Sequence, residues 1–173
     1  MSRWVAALPL VVLAVLAILF AGYGLHHDPH VIPKALVGKE TPDLALPNLD
    51  DGALQQVREA SRQGPVLINF FASWCGPCQI EHPVLMDLQA RHVRIVGIAY
   101  KDDPQNTKAF LAKLGDPFSE RLVDRDGRAG IEFGVSGVPE TYVVAQGGEV
   151  LAKYTNLSPG DVQPLTARML TGR

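Results

Sequence analysis

Residues 66–78 read Val66-Leu67-Ile68-Asn69-Phe70-Phe71-Ala72-Ser73-Trp74-Cys75-Gly76-Pro77-Cys78. The first six form a nearly continuous apolar run of strand formers, which suits a central strand covered on both faces. The last five include both cysteines of the chain. Beyond them, residues 79–91 place Ile80, Val84, Leu85 and Leu88 close to helical spacing. Pro83 lies inside that helix and is expected to kink it, because it deletes one hydrogen bond and crowds the preceding turn. Two cysteines separated by two residues, at a strand-to-helix junction, are what a dithiol needs to open and close as a disulfide.

On the N-terminal side, residues 41–49 alternate enough for a short strand, 48–52 (NLDDG) carry turn chemistry, and 53–63 read as one polar helix. On the C-terminal side, 93–100 (VRIVGIAY) read as a strand and 104–114 as a helix with Asp102 or Asp103 near its start. Leu122 and Val123 suit a short strand ended by Asp124-Arg125-Asp126-Gly127, with a brief helical turn over 129–133. Residues 141–145 and 149–154 flank Gln146-Gly147-Gly148 as an antiparallel hairpin. Ser158 can cap a last helix with Pro159 in its first position. Together these elements predict a mixed sheet flanked by helices.

The 173 residues are enough for one domain plus a short appendage. A net charge of −2 without a basic stripe argues against nucleic acid as a partner. Residues 4–23 (WVAALPLVVLAVLAILFAGY) contain no charged side chain, and a helix of roughly 20 such residues can cross a bilayer. Arg3 precedes the run and the next basic residue is Lys34, a bias that puts the N-terminus in the cytoplasm and the remainder across the membrane. A cleaved signal peptide has an apolar core of about 7–15 residues and an A-x-A-like end, so the longer run here favours an uncleaved anchor. The division expected is anchor 1–25, linker 26–37 and exported domain 38–173. The linker's three histidines have no ordered scaffold and no nearby cysteine, so they read as a solvated tether and no metal is expected.

Export changes what a cysteine pair means. A bridge closing so short a loop removes little chain entropy and makes a poor staple, which favours redox chemistry. The attacking species in disulfide exchange is a thiolate. If Gly76 begins the helix, Cys75 stands at its N-terminus, where free N–H groups and the helix dipole favour negative charge. Cys75 is thus the expected nucleophile and Cys78, a turn further in, the resolving thiol. Zinc would need about four ligands, and His82 is the one other ligand nearby. His82 itself reads as a helix residue. An inert buried pair is the remaining alternative. Glu81, three residues after Cys78, shares its helix face; buried there it is a proton acceptor for Cys78, and otherwise a surface glutamate.

Trp74-Cys75-Gly76-Pro77-Cys78 after VLINFFAS resembles the thioredoxin superfamily, and Gly137-Val138-Pro139-Glu140-Thr141 resembles its loop bearing a cis-proline. With the N-terminal anchor and Cys78-Gln79-Ile80-Glu81-His82-Pro83, residues 38–170 resemble the membrane-anchored thiol:disulfide interchange proteins of cytochrome c maturation, the CcmG/DsbE type. The Gly76-Pro77 insert is that of general thioredoxins, whereas this family varies there. The resemblance implies a thioredoxin-like mixed central sheet flanked by helices, no cofactor, and a reductant of the CxxCH cysteines of apocytochrome c. It also implies electrons received from a membrane thiol reductant and a domain tethered to the inner membrane, facing the periplasm. It places Val138 and Pro139 where an extended substrate segment could pair, Trp74 over the motif, and Glu140 beside the cis-proline as a tuning residue, a partner contact or a solvated loop side chain. A broader exported disulfide reductase or oxidase, and a non-catalytic docking module of the maturation machinery, are the other readings.

Overall fold

The computed structural model describes residues 3–24 and 36–171. The chain divides into two units, Met1–Ile32 and Pro33–Arg173. In the first, helix α1 spans Arg3–Gly24 and continues through Pro9. Its described side chains, residues 8–22, are exposed. Among the described residues no helix is long and apolar enough to cross a membrane, and the anchor expected over 4–23 extends past the described side chains at both ends. Most of the linker expected at 26–37, including all three histidines, lies outside the described residues.

The second unit is built on β3 (Val66–Phe71), all six residues of which are buried. Helix α2 (Gly76–Ala90) follows it, then β4 (Ile95–Tyr100), α3 (Pro104–Leu114), β5 (Glu120–Asp124), α4 (Arg128–Phe133), β6 (Glu140–Val144), β7 (Val150–Thr155) and α5 (Val162–Thr171). The five strands run in the order β5-β4-β3-β6-β7. β3 pairs parallel with β4 and antiparallel with β6, so the sheet is mixed and β3 is at its centre. The continuous apolar run follows from that position. Leu67 and Phe71 face a core shared with Cys75, Cys78, Leu88 and Leu165, while Val66, Ile68 and Phe70 face a second core with Val57, Phe133 and Tyr142. This is the thioredoxin-like architecture. Gly97 of β4 is required by a close approach: a Cβ there would lie 2.7 Å from Phe118, whose ring packs 4.7 Å from that of Phe71.

Two local expectations change. Residues 53–63 form no polar helix. Leu54–Gln56 is strand β2, paired antiparallel with β1 (Ala45–Pro47), and Val57–Ser61 is a 3₁₀ turn. The hairpin wins because Asn48 and Asp51 accept the N–H groups of Asp50 and Ala53, which fixes the reversal between the two strands. Ile80 is 81% exposed instead of facing the core. The buried stripe of α2 runs through Cys78, Glu81, His82, Leu85 and Leu88, with Val84 beside it, so two polar residues occupy positions that an apolar count assigns elsewhere. Pro83 lies inside α2, which is one helix from Gly76 to Ala90. Pro83, which has no N–H to give the Gln79 carbonyl, and Gln79 are both exposed residues.

Candidate active site

Cys75 is the N-cap of α2, with extended backbone, and its sulfur accepts the Cys78 N–H at 3.1 Å. Gly76 and Pro77 form the first helical turn, where a proline's missing N–H costs nothing. Cys75 and Cys78 are joined as a disulfide with Cα atoms 5.3 Å apart. Both are buried, while Trp74 beside them is 60% exposed and donates its indole N–H to the Lys101 carbonyl at 3.2 Å. The Val138–Pro139 peptide is cis, and the Val138 carbonyl oxygen lies 3.4 Å from Cys75 Sγ. In the disulfide that sulfur has no proton to donate, so the approach is a contact; a Cys75 thiol would have an acceptor there.

Glu81 is 2% exposed. Its Oε1 accepts from Asn69 Nδ2 at 2.9 Å and its Oε2 from the Leu157 N–H. Burial raises its pKa from 4.5 to about 7, against the lowering effect of those hydrogen bonds and with a smaller push from Asp161. Desolvation wins because two neutral donors replace less than water supplies to a carboxylate. Asn69 Nδ2 also donates to Thr141 Oγ1, while Asn69 Oδ1 is buried with no partner among the described residues. His82, one turn beyond Cys78, makes a 3.0 Å hydrogen bond with the Gly115 carbonyl and sits edge-on to Phe110. Burial lowers its pKa.

Glu140 is 1% exposed and faces away from the dithiol. It lies opposite Phe70 in the β3–β6 register, in the face that carries Tyr142 and Phe133. Its carboxylate pairs with Lys153 Nζ at 2.9 Å, accepts the Tyr142 hydroxyl at 3.2 Å, and accepts both the N–H and the hydroxyl of Ser136. Burial, with the Glu140 charge beside it, pushes the Tyr142 hydroxyl well above its ordinary pKa. A solvated loop side chain is not what the fold provides at position 140.

The site has a second support that the sequence reading did not single out. Asp102 is buried, and its carboxylate accepts the Ser73 N–H (2.7 Å), the Ser73 hydroxyl (2.8 Å), the Thr107 hydroxyl (2.8 Å) and the Asp103 N–H (2.9 Å). It fastens the turn that delivers Cys75 to the start of α3. Asp103, its neighbour, is the ordinary N-cap of that helix. Among the described residues no cluster of three His, Cys, Asp or Glu side chains is arranged to hold a metal ion.

A vicinal cysteine pair at a helix N-terminus, faced by a cis-proline loop on a thioredoxin-like sheet, defines a thiol:disulfide oxidoreductase. The chain belongs to the Redoxin family, whose model matches residues 36–167. Within it, the chain is 38% identical to the thiol:disulfide interchange protein HelX of Rhodobacter capsulatus, over 99% of this chain and 93% of that one. It is 37% identical to the thiol:disulfide interchange protein DsbE of Escherichia coli K12, over 95% and 89%. A solved structure from Chlorobium tepidum, assigned as a DsbE, superposes with a TM-score of 0.67 at 26% identity, covering 79% of this chain and 96% of the other. These are the CcmG/DsbE-type relatives that the motifs resembled.

Proposed function

We propose that this oxidoreductase is a membrane-anchored reductant on the exported side of the inner membrane, and that it delivers electrons to the CxxCH disulfide of apocytochrome c during cytochrome c maturation. The observation that carries the chemistry is Cys75 Sγ at the first turn of α2, bonded by a helix N–H and bordered by the Val138 carbonyl. The DsbE and HelX relatives, named as thiol:disulfide interchange proteins, support the exchange chemistry, the resemblance to the cytochrome c maturation type supplies the substrate class, and the charge-free run 4–23 behind Arg3 supports the anchor and its orientation.

The cycle begins from the reduced protein. A Cys75 thiolate, favoured by the α2 N–H groups, attacks one sulfur of the substrate disulfide, whose S–S bond breaks as the mixed disulfide forms. The departing substrate thiolate takes a proton. Glu81 then accepts the proton of Cys78, which attacks Cys75 Sγ, closes the Cys75–Cys78 bond and expels the second substrate thiolate. That thiolate takes the proton that Glu81 held, so the substrate gains two electrons from the protein, one proton from Cys78 by way of Glu81, and one from solvent. A carboxyl with its pKa at about 7 can both take and return that proton near neutrality. A membrane thiol reductant restores the dithiol by the reverse exchange.

Trapping tests the proposal. The full-length Cys78→Ala protein, expressed in cells making c-type cytochromes, is expected to accumulate a mixed disulfide with apocytochrome c or with a thiol carrier of its maturation. Capture of many unrelated exported proteins and no apocytochrome or carrier would replace this reading by that of a general exported reductase. Full complementation by Cys75→Ala/Cys78→Ala would make the domain a docking module.

A further inference from the structure

We propose that Glu140, Tyr142 and Lys153 are positioning residues for the substrate-binding loop 134–139, acting on protein disulfides through the backbone around Val138 and not on the charge state of the thiols. The three side chains lie on the sheet face opposite the dithiol helix. They hold the last residue of α4 and two points of the loop that follows it. The Tyr142 hydroxyl shares its one proton between the Phe133 carbonyl at 3.0 Å and the Glu140 carboxylate at 3.2 Å, Lys153 Nζ donates to the Gly134 carbonyl at 3.0 Å, and the Glu140 carboxylate receives the N–H and hydroxyl of Ser136. The same three groups are tied to one another, for Lys153 pairs with Glu140 and lies 5.5 Å over the Tyr142 ring.

A buried ion pair is an expensive way to stabilise a sheet, and apolar side chains of similar volume serve as well or better. What the pair provides here is direction. Its acceptors and donors are spent on the loop that ends in Val138 and the cis-proline, and the Val138 carbonyl stands 3.4 Å from Cys75 Sγ. A small disulfide needs the sulfur alone. An extended peptide must also pair with the Val138 backbone, so its reaction depends on where the loop is held. This rests on the reading of Val138 as the substrate-pairing position, and it makes Glu140 a residue that acts through Ser136.

Reduced full-length protein in detergent, wild type and variant, is mixed with three oxidants under second-order conditions. Two are disulfide-bonded peptides of equal length, one with a CxxCH motif and one unrelated; the third is the small aromatic disulfide dithionitrobenzoate. Ser136→Ala, Tyr142→Phe and the paired Glu140→Gln/Lys153→Met are each expected to slow both peptides by about tenfold, the scale of a slightly misplaced binding group, with the small disulfide within about twofold. The pH profile of Cys75 alkylation is expected to overlay that of wild type. Equal losses with peptides and small disulfide, or no loss with either, overturns the proposal, as does a shifted Cys75 profile in the paired variant, which would make the effect electrostatic. Ser136→Ala leaves the ion pair whole and keeps the test decisive if the paired variant fails to fold. Wild-type protein indifferent to which peptide it meets overturns the apocytochrome reading alone, because either peptide reports on the loop.

Discussion

Replacing Glu81 by glutamine removes a charge from the buried face of α2 with little change of shape, and the consequence for stability can be worked from the structure. The wild-type carboxyl has a pKa of about 7 folded against 4.5 unfolded. Between those values the folded chain binds the extra proton, so stability falls as pH rises. The contribution is fully present below pH 4.5 and is lost as pH passes through about 7. Integrating the linkage relation from pH 5 to pH 8 gives a loss of about 2.5 kcal/mol in wild type from this group alone. In Glu81→Gln that component is absent. Urea unfolding of the oxidised protein at the two pH values measures it, since the closed disulfide keeps Cys75 and Cys78 from titrating. The difference between wild type and variant in their pH 5 to pH 8 change is the quantity of interest. A difference below about 1 kcal/mol, a shift of less than one pKa unit, would refute the desolvated carboxyl and with it the proton acceptor beside Cys78.

The same substitution is expected to leave formation of the mixed disulfide unchanged and to slow its resolution by Cys78 about a hundredfold, the usual worth of a positioned base; quenched-flow alkylation separates the steps, and equal resolution rates would remove Glu81 from the cycle. Asp102→Ala strands two backbone N–H groups and two hydroxyls and is expected to cost about 3 kcal/mol in urea unfolding, with a loss under about 1 kcal/mol showing that the clasp on Ser73 is dispensable. Lys153→Met alone leaves Glu140 buried and charged, at a cost of about 3–5 kcal/mol, most of which Glu140→Gln/Lys153→Met should restore. A double variant no more stable than the single one would show that the two do not act as a pair.

The order of elements was readable because each announces itself locally. VLINFF suits a strand covered on both sides, Asp102-Asp103-Pro104 and Ser158-Pro159 mark helix starts, and Gly147-Gly148 turns a hairpin. The stretch 53–63 misled because its helical composition was overruled by pairing with β1, a contact that depends on turn residues upstream. At the site, the cysteines were legible from spacing, and Pro139 from the resemblance of Gly137-Val138-Pro139-Glu140-Thr141 to the thioredoxin loop. Glu81 was visible as a helix neighbour of Cys78, but its burial depends on Leu157, from a loop 76 residues away. Asn69 carried a faint signal, as one polar residue in an apolar strand. Asp102 was masked by Asp103, since an Asp-Asp-Pro run reads as a helix cap whichever aspartate does the capping. Lys153 had no signal at all. A lysine in an exposed-looking hairpin strand becomes a buried partner only through the register that sets β7 beside β6.

Asn69 is where the chemistry of the dithiol meets the hydrogen-bonding economy of the core. As it stands, its amide nitrogen serves Glu81 and Thr141 and its oxygen serves nothing among the described residues. When Glu81 takes up a proton it becomes a donor, and the Thr141 hydroxyl donates as readily as it accepts. The carboxamide, turned over by a half rotation, then offers its oxygen to both. One side chain thus meets Glu81 as donor or as acceptor, and what the rotation leaves unpaired is its own far end, the oxygen in one state and the amide N–H groups in the other. An aspartate or a leucine at position 69 would fill a similar volume and lose that reversibility.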